Sequence, residues 1–474
     1  MLADHYRGYK GIPELVGLHS MKEAMSKGLT VPESVARLKR FHWVSKELSF
    51  LLISRITAMP IYEIKMAFSY HAHLLAEQVE PFFKRVREMR EPPYGMDAAP
   101  DPNMEILLRE VQNAPTTEAL LLGVYGKIIP ALTEGLGQHI EENNKLFDNP
   151  TYRVCKHALV DIREIREYGE AVLDKLIGEE TREEYAEWLQ LLDTCLLNMG
   201  GLDGSGEKQD NPLRKQYSNK EFEYDNIPKR DERFKDVCNM RVNAEAFLLD
   251  EKFPPLPKTI MLYFKRMREI DVPEMMASII YETKDKPWEY YRDMIRQIWD
   301  ESRHAMMGEV GFTSMDIDWK EIPFNITWSY LLNTDLTSKE RHSILFFIEQ
   351  GLMPAKTGKK YEWDVAVATA NRLAELIQDY DWADEVLHAN IGRKWIVPEI
   401  GSQEEAMNFG NQAWTRALKD SYDRFQEAGL TQHENWWPRI YAQACEHWGI
   451  EEDPEIKAFD QNYRDTRPDR ETVK

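Results

Sequence analysis

Two stretches of this chain repeat one arrangement of chemically capable residues: Asp300-Glu301-Ser302-Arg303-His304 and Asp384-Glu385-Val386-Leu387-His388. On a helix, a Glu and a His three residues apart leave the same face with Cβ atoms about 5 to 6 Å apart, so both reach one metal ion. One Glu-x-x-His is weak evidence, because about one arises by accident among 12 histidines at average glutamate usage. Two, each preceded by Asp, are expected by chance well under once. A bundle that binds two ions needs a lone Glu from two further helices. The helix before the first motif offers Glu274, in DVPEMMASII, with Glu269 and Glu282 as less favoured candidates. The helix before the second offers Glu349, which sits between LFFI and GLM and would be costly to bury without a cation or partner.

The aspartates fit the same reading. A ligating histidine usually gives its other ring N–H to a carboxylate, and Asp300 and Asp384 are placed to accept it within this core. Arg303 would offset surplus negative charge. Four glutamates and two histidines around two divalent ions leave a near-neutral site, with oxygen and imidazole donors that suit iron or manganese.

These residues resemble the ferritin-like di-iron carboxylate superfamily. DESRHAMMGE resembles its DExRH helix, WADEVLHANIGRKW the DExxH followed by Gly and Trp of one uncharacterised branch, and FFIEQGLMP the third core helix of that branch. The resemblance covers residues 255–397, about a third of the chain. It implies a ferritin-like four-helix bundle with metal ligation by Glu274, Glu301, His304, Glu349, Glu385 and His388, supported by Asp300, Arg303 and Asp384. Two iron ions, or iron and manganese, are the implied cofactors.

The elements that must position these residues are helical. Apolar residues recur at helical spacing over 34–56, 63–90, 119–136, 151–177, 257–270, 273–284, 287–310, 336–353 and 363–392, and strand-like alternation is scarce. Pro273 and Pro287 stand where a first-turn proline opens a helix, with Asp271 and Asp285 as cap candidates. Residues 200–234 are polar and without period, and read as a linker. The chain is therefore expected to be all-α. An N-terminal helical domain over 1–199 has the layout of a degenerate ferritin-like bundle, with Glu77, Glu141, Glu142 and Asp161–Glu164 but no Glu-x-x-His. A linker over 200–240, the metal-binding bundle over 241–400 and capping helices over 401–474 complete the reading.

Composition narrows the function. At 474 residues the chain exceeds a single core, and 43% hydrophobic with 30% charged residues describes a globular protein with no expected membrane span. The first 20 residues lack the basic and apolar segments of a secretory signal, which places the expected location in the cytoplasm. A net charge of −21 opposes binding to nucleic acid or anionic lipid. Cys155, Cys195, Cys238 and Cys445 are far apart and form no CxxC, so they read as packing residues. His71, His73 and His342 read as ordinary residues, and the aromatic runs FNITWSYLL and ENWWPRIY as packing.

The leading expectation is a di-iron oxidoreductase that activates dioxygen on a small apolar substrate, with an electron donor and a homodimeric state both open. A non-catalytic ferritin-like metal-binding or structural protein is the second expectation. An acid-pair carbohydrate-active enzyme is the third, and it leaves both histidines unexplained.

Overall fold

The computed structural model describes residues 2–235, 239, 242–427 and 434–460. Helices dominate, with short 3-10 turns and one π-helical turn, and no strand occurs among the described residues. The chain is all-α. It divides into two compact units, Met1–Leu52 with His71–Tyr224, and Ile53–Tyr70 with Asp225–Lys474.

The first unit is built on α1 (Val31–Ile56), α2 (Tyr62–Glu88), α3 (Pro102–Gln112), α4 (Thr117–Glu142), α5 (Asn149–Leu176) and α6 (Ala186–Asn198). The end of α1, the start of α2 and the turn between them belong to the second unit. Asp101 and Thr116 start α3 and α4 by accepting hydrogen bonds from Asn103 N and Ala119 N. The π-helical turn Val124–Ile128 precedes Pro130 in α4 and lets the helix continue past a residue that lacks an N–H. By length and composition α4 could cross a membrane, but 72% of its most apolar window is buried inside the protein, as in a core helix.

The polar stretch expected as a linker is pinned down. Buried Glu110 accepts from Gln216 N (2.9 Å), Tyr217 N (2.9 Å) and Ser218 N (3.2 Å), and Asn198 exchanges two hydrogen bonds with Asn211. The division between units falls inside this stretch, at Tyr224 and Asp225. Cys155, Cys195 and Cys445 are buried and free, whereas Cys238 lies outside the described residues.

The second unit contains α7 (Pro255–Arg268), α8 (Asp271–Glu282), α9 (Trp288–Thr313), α10 (Thr327–Asp335), α11 (Ser338–Gly351), α12 (Lys359–Ala368), α13 (Arg372–Trp395), α14 (Gln403–Glu427) and α15 (Trp437–Trp448). The single helix expected over 363–392 is two, because Ala370 takes φ 56° and Asn371 then caps α13 through Leu373 N and Ala374 N. Neither Asp expected as a cap serves as one. Asp271 lies inside the first turn of α8 and pairs with Arg230 at 2.6 Å, and Asp285 takes φ 61° two residues before the Pro287 that precedes α9.

Close approach of α7 and α9 depends on glycine. A Cβ on Gly308 would lie 2.2 Å from Met267 N, and one on Gly311 would lie 2.4 Å from the Tyr263 ring. A Cβ on Gly392 of α13 would lie 2.4 Å from the Phe346 ring of α11. One hydrophobic core runs from Tyr62 and Met66 through α7 and α9 to Trp436, Trp437 and Tyr441. Both tryptophans of the ENWWPRIY run pack there, Trp437 4.4 Å from Phe247 and stacked on Tyr441 at 5.5 Å. The capping helices expected after residue 400 therefore belong to this unit: Gly410 of α14 packs on the Ser343 carbonyl of α11.

Candidate metal centre

Two groups of side chains in the second unit bring ligand atoms within 4.8 Å of one another: Glu269, His304, Asp381 and Glu385, and Glu301, Glu349, Glu385 and His388. They come from the C-terminus of α7 (Glu269), from α9 (Glu301, His304), from α11 (Glu349) and from α13 (Asp381, Glu385, His388). All are buried except Glu269, which is half-buried. Glu385 belongs to both groups and joins them.

The histidines face each other across the acids, ring centroids 5.9 Å apart. His304 Nδ1 lies 3.3 Å from Glu269 Oε2, 3.5 Å from Asp381 Oδ1 and 3.6 Å from Glu301 Oε2. His388 Nδ1 lies 3.2 Å from Glu301 Oε1, 3.4 Å from Glu385 Oε2 and 3.9 Å from Glu349 Oε1. The Glu301 carboxylate thus turns one oxygen to each imidazole, as a bridging group does. The opposite ring nitrogens meet aspartates in a crossed pattern. His304 Nε2 on α9 is 3.2 Å from Asp384 of α13, and His388 Nε2 on α13 is 3.4 Å from Asp300 of α9. Arg303 ties these aspartates together, donating to Asp384 at 2.7 Å and to Asp300, while Arg296 Nε reaches both Asp300 oxygens at 2.9 Å. Each Nε2–H is held by a carboxylate and each Nδ1 is aimed into the cluster, where it would become a metal-binding lone pair on losing its proton.

Charge within the cluster is unevenly compensated. Burial, with Glu385 and Glu301 beside it, lifts Glu349 well above the usual carboxylate range. Burial acts the same way on Glu385, but Lys359 and then Glu349 and His388 hold it well below. Burial opposes charge on His304, yet Asp384, Glu269 and Glu301 around the ring raise it to about 10. His388 is likewise raised, by Asp300, Glu301 and Glu385 against the effect of burial.

The donors fit divalent cations. His304 Nδ1, His388 Nδ1, Glu269 Oε2, Glu349 Oε2, Asp381 Oδ2 and Glu385 Oε2 are buried without a hydrogen bond among the described residues. Atoms of this kind are rarely left orphaned in a folded protein unless something else binds them. Oxygen and imidazole donors without thiolate suit iron, manganese or zinc.

Of the six sequence candidates the structure gathers Glu301, His304, Glu349, Glu385 and His388 and leaves out Glu274. Glu274 is fully buried, but it pairs with Lys65 and with Arg230 at 2.9 Å and accepts from Ser329 at 2.9 Å. Helix α7 ends at Arg268 and α8 restarts at Asp271, so Glu269 points to the cluster while Glu274 points to a separate ion-pair network. Glu282, the other alternative, pairs with Arg341. Asp381 was legible: it lies four residues before Glu385 and seven before His388, hence on one helical stripe. Gln297, which donates to Glu349 Oε1 at 3.2 Å, lies four before Glu301 by the same logic. Lys359 and Arg266, whose ion pairs enclose Asp381 and Glu269, carry no local signal.

His71 hydrogen-bonds the Tyr125 hydroxyl at 2.8 Å, and His342 lies 3.3 Å from the Tyr290 hydroxyl; both stand outside the cluster. The acids abut the histidines, whereas the carbohydrate-active expectation required acids remote from His304 and His388. A cavity of about 110 Å³ adjoins the cluster, with Val272, Met275, Leu345, Ile348 and Leu352 on its wall and Glu301, Glu349, Lys359 and Glu385 at its polar end. Comparison with protein-family models, with curated proteins and with solved structures returned no match to this chain, so the chemistry of the cluster is read from its own geometry.

Proposed function

We propose that the second unit is a ferritin-like four-helix bundle that holds two divalent ions, iron foremost, and acts as an oxidoreductase that uses dioxygen on a small apolar substrate. The observation that carries this reading is the crossed Asp–His pairing around acids joined through Glu301 and Glu385. Such pairing orients imidazoles for a metal, and a purely structural ion-pair network has no need of it. Two iron ions bound here would supply electrons to dioxygen and a strongly oxidising site.

The chain's own residues account for the rest. Asp384 and Asp300 orient His304 and His388, so that both Nδ1 atoms converge on the acids and would bind a metal on giving up their protons. Glu385 offers an oxygen to both groups, Glu301 turns one oxygen toward each imidazole, and Gln297 orients Glu349. Val272, Met275, Leu345, Ile348 and Leu352 give the cavity beside the acids an apolar wall on which a small apolar substrate would lie.

Purified full-length protein mixed anaerobically with excess Fe(II) and then exposed to air tests the reading. The expected result is about two bound iron ions per chain and oxygen uptake coupled to Fe(II) oxidation, both lost in His388→Gln. Absence of iron binding, or oxygen uptake unchanged in His388→Gln, refutes it. Iron held without oxygen uptake supports the alternative of a metal-binding protein without turnover, which the small cavity and the Lys359 contacts favour.

A further inference from the structure

We propose that Lys359 is a tethered cation that makes the two metal positions unequal: the chain takes one ion readily at Glu301, Glu349, Glu385 and His388, and a second at Glu269, His304, Asp381 and Glu385 only by displacing the lysine ammonium. The proposal rests on the metal-centre reading above and deepens it.

Lys359 is the first residue of α12, its backbone N–H bonded to Leu352 O at 3.0 Å, and the side chain runs inward until the residue is 1% exposed. Its Nζ lies 2.8 Å from Glu385 Oε1, 2.9 Å from Asp381 Oδ1 and 3.5 Å from Glu269 Oε1. Those are the three carboxylates of one metal position. Arg266, fully buried, reinforces the same side, reaching Glu269 at 3.0 Å and pairing with Asp381. Each carboxylate there already touches a positive side chain.

The other position is different. Among the described residues, Glu301 and Glu349 have no Lys or Arg nitrogen within ion-pairing distance; their contacts are His304, His388 and Gln297. Their neighbouring cations are imidazoles, which lose a proton to become ligands, and Glu385 turns toward them Oε2 rather than the Oε1 that Lys359 holds, so a divalent cation can neutralise these acids without moving a lysine or arginine. An ion entering there displaces no ammonium from Glu301 or Glu349. An ion entering the Glu269 position must break the Lys359 contacts to Asp381 and Glu385. Lysine suits such exchange, with a compact charge on a flexible stem. The adjoining cavity has Lys359 in its wall and gives the displaced stem somewhere to go.

The test is a Mn(II) titration of the metal-stripped full-length chain, with bound ions counted by calorimetry and free Mn(II) by paramagnetic resonance. Wild type is expected to take one ion tightly and a second about a hundredfold more weakly. Lys359→Met should tighten the second step at least about tenfold while the first changes little, and Lys359→Arg, which keeps the charge in a less displaceable fork, should leave the second step as weak as in wild type or weaker. Lys359→Gln is read in the same way if the Met variant does not fold. Two equal steps in wild type, or an unchanged ratio in the neutral variants, overturn the role of Lys359 and leave the metal centre standing. No Mn(II) bound by any variant removes both.

Discussion

Each imidazole in the cluster is poised as a candidate ligand only because of what holds its far nitrogen. Asp384 and Asp300 accept from His304 and His388 across the gap between α9 and α13, so neutralising either aspartate unlocks the ring on the opposite helix. Asp384→Asn or Asp300→Asn should lower Mn(II) affinity by roughly 10- to 100-fold, measured by competition with a chromophoric chelator; unchanged affinity would show that the pairs are only packing. Glu274 and Glu269 separate two readings of the same chain. Glu269→Gln should weaken metal binding, because its Oε2 lies 3.3 Å from His304 Nδ1. Glu274→Gln should leave binding intact and cost about 3 to 5 kcal/mol in urea unfolding, because it leaves buried Lys65 and Arg230 short of a counterion. If Glu274→Gln abolished metal uptake and Glu269→Gln did not, the assignment of the α7 ligand would be reversed.

At the scale of elements, the cluster residues converge because helices approach closely. Gly308 packs its bare Cα against Met267, two residues before Glu269, and so sets the distance between the α7 carboxylate and the Glu301–His304 face. Gly308→Ala would press a methyl group onto backbone, which no rotamer change relieves. It should cost at least about 1 to 3 kcal/mol of stability and weaken metal binding. Gly351, in the last turn of α11, faces open space: a Cβ there would meet no atom within 4 Å. Gly351→Ala is the control, expected to be neutral or to add about 0.4 to 1 kcal/mol. Thermal melts of both variants, with and without Mn(II), decide the point. Equal behaviour would mean that the α7–α9 spacing does not govern the site.

For the whole molecule, acid sensitivity follows from buried neutral histidines in the first unit. Burial brings His139 down to about 4 and His71 down to about 3 from an ordinary value of 6.5. Above pH 6.5 neither is protonated in the folded or the unfolded chain, and their contribution to stability is complete. As pH falls from 6.5 toward 4 the unfolded chain binds protons that the folded chain refuses, so stability declines by up to about 1.4 kcal/mol per pH unit for each group. His139 has no hydrogen bond to either ring nitrogen among the described residues and packs edge-on against Phe41. His139→Leu should therefore flatten the decline of the unfolding midpoint between pH 6.5 and 4. An identical slope in the variant would assign the acid sensitivity to other groups.

The paired Glu-x-x-His motifs and the helices that carry them were open to sequence reasoning because both are local: helical repeat fixes which residues share a face, and covalent spacing places Glu301 beside His304 and Glu385 beside His388. Glu349 was legible for a related reason, as an acid in an apolar run with nothing nearby to compensate it. The missing choices were long-range. Whether Glu269 or Glu274 faces the histidines depends on a helix break at Ile270, and which aspartate serves which ring depends on how α9 and α13 cross. That Lys359, far along the chain in a helix of its own, places its ammonium among the acids was settled by packing in three dimensions, where burial forces each charge to find a partner regardless of sequence distance.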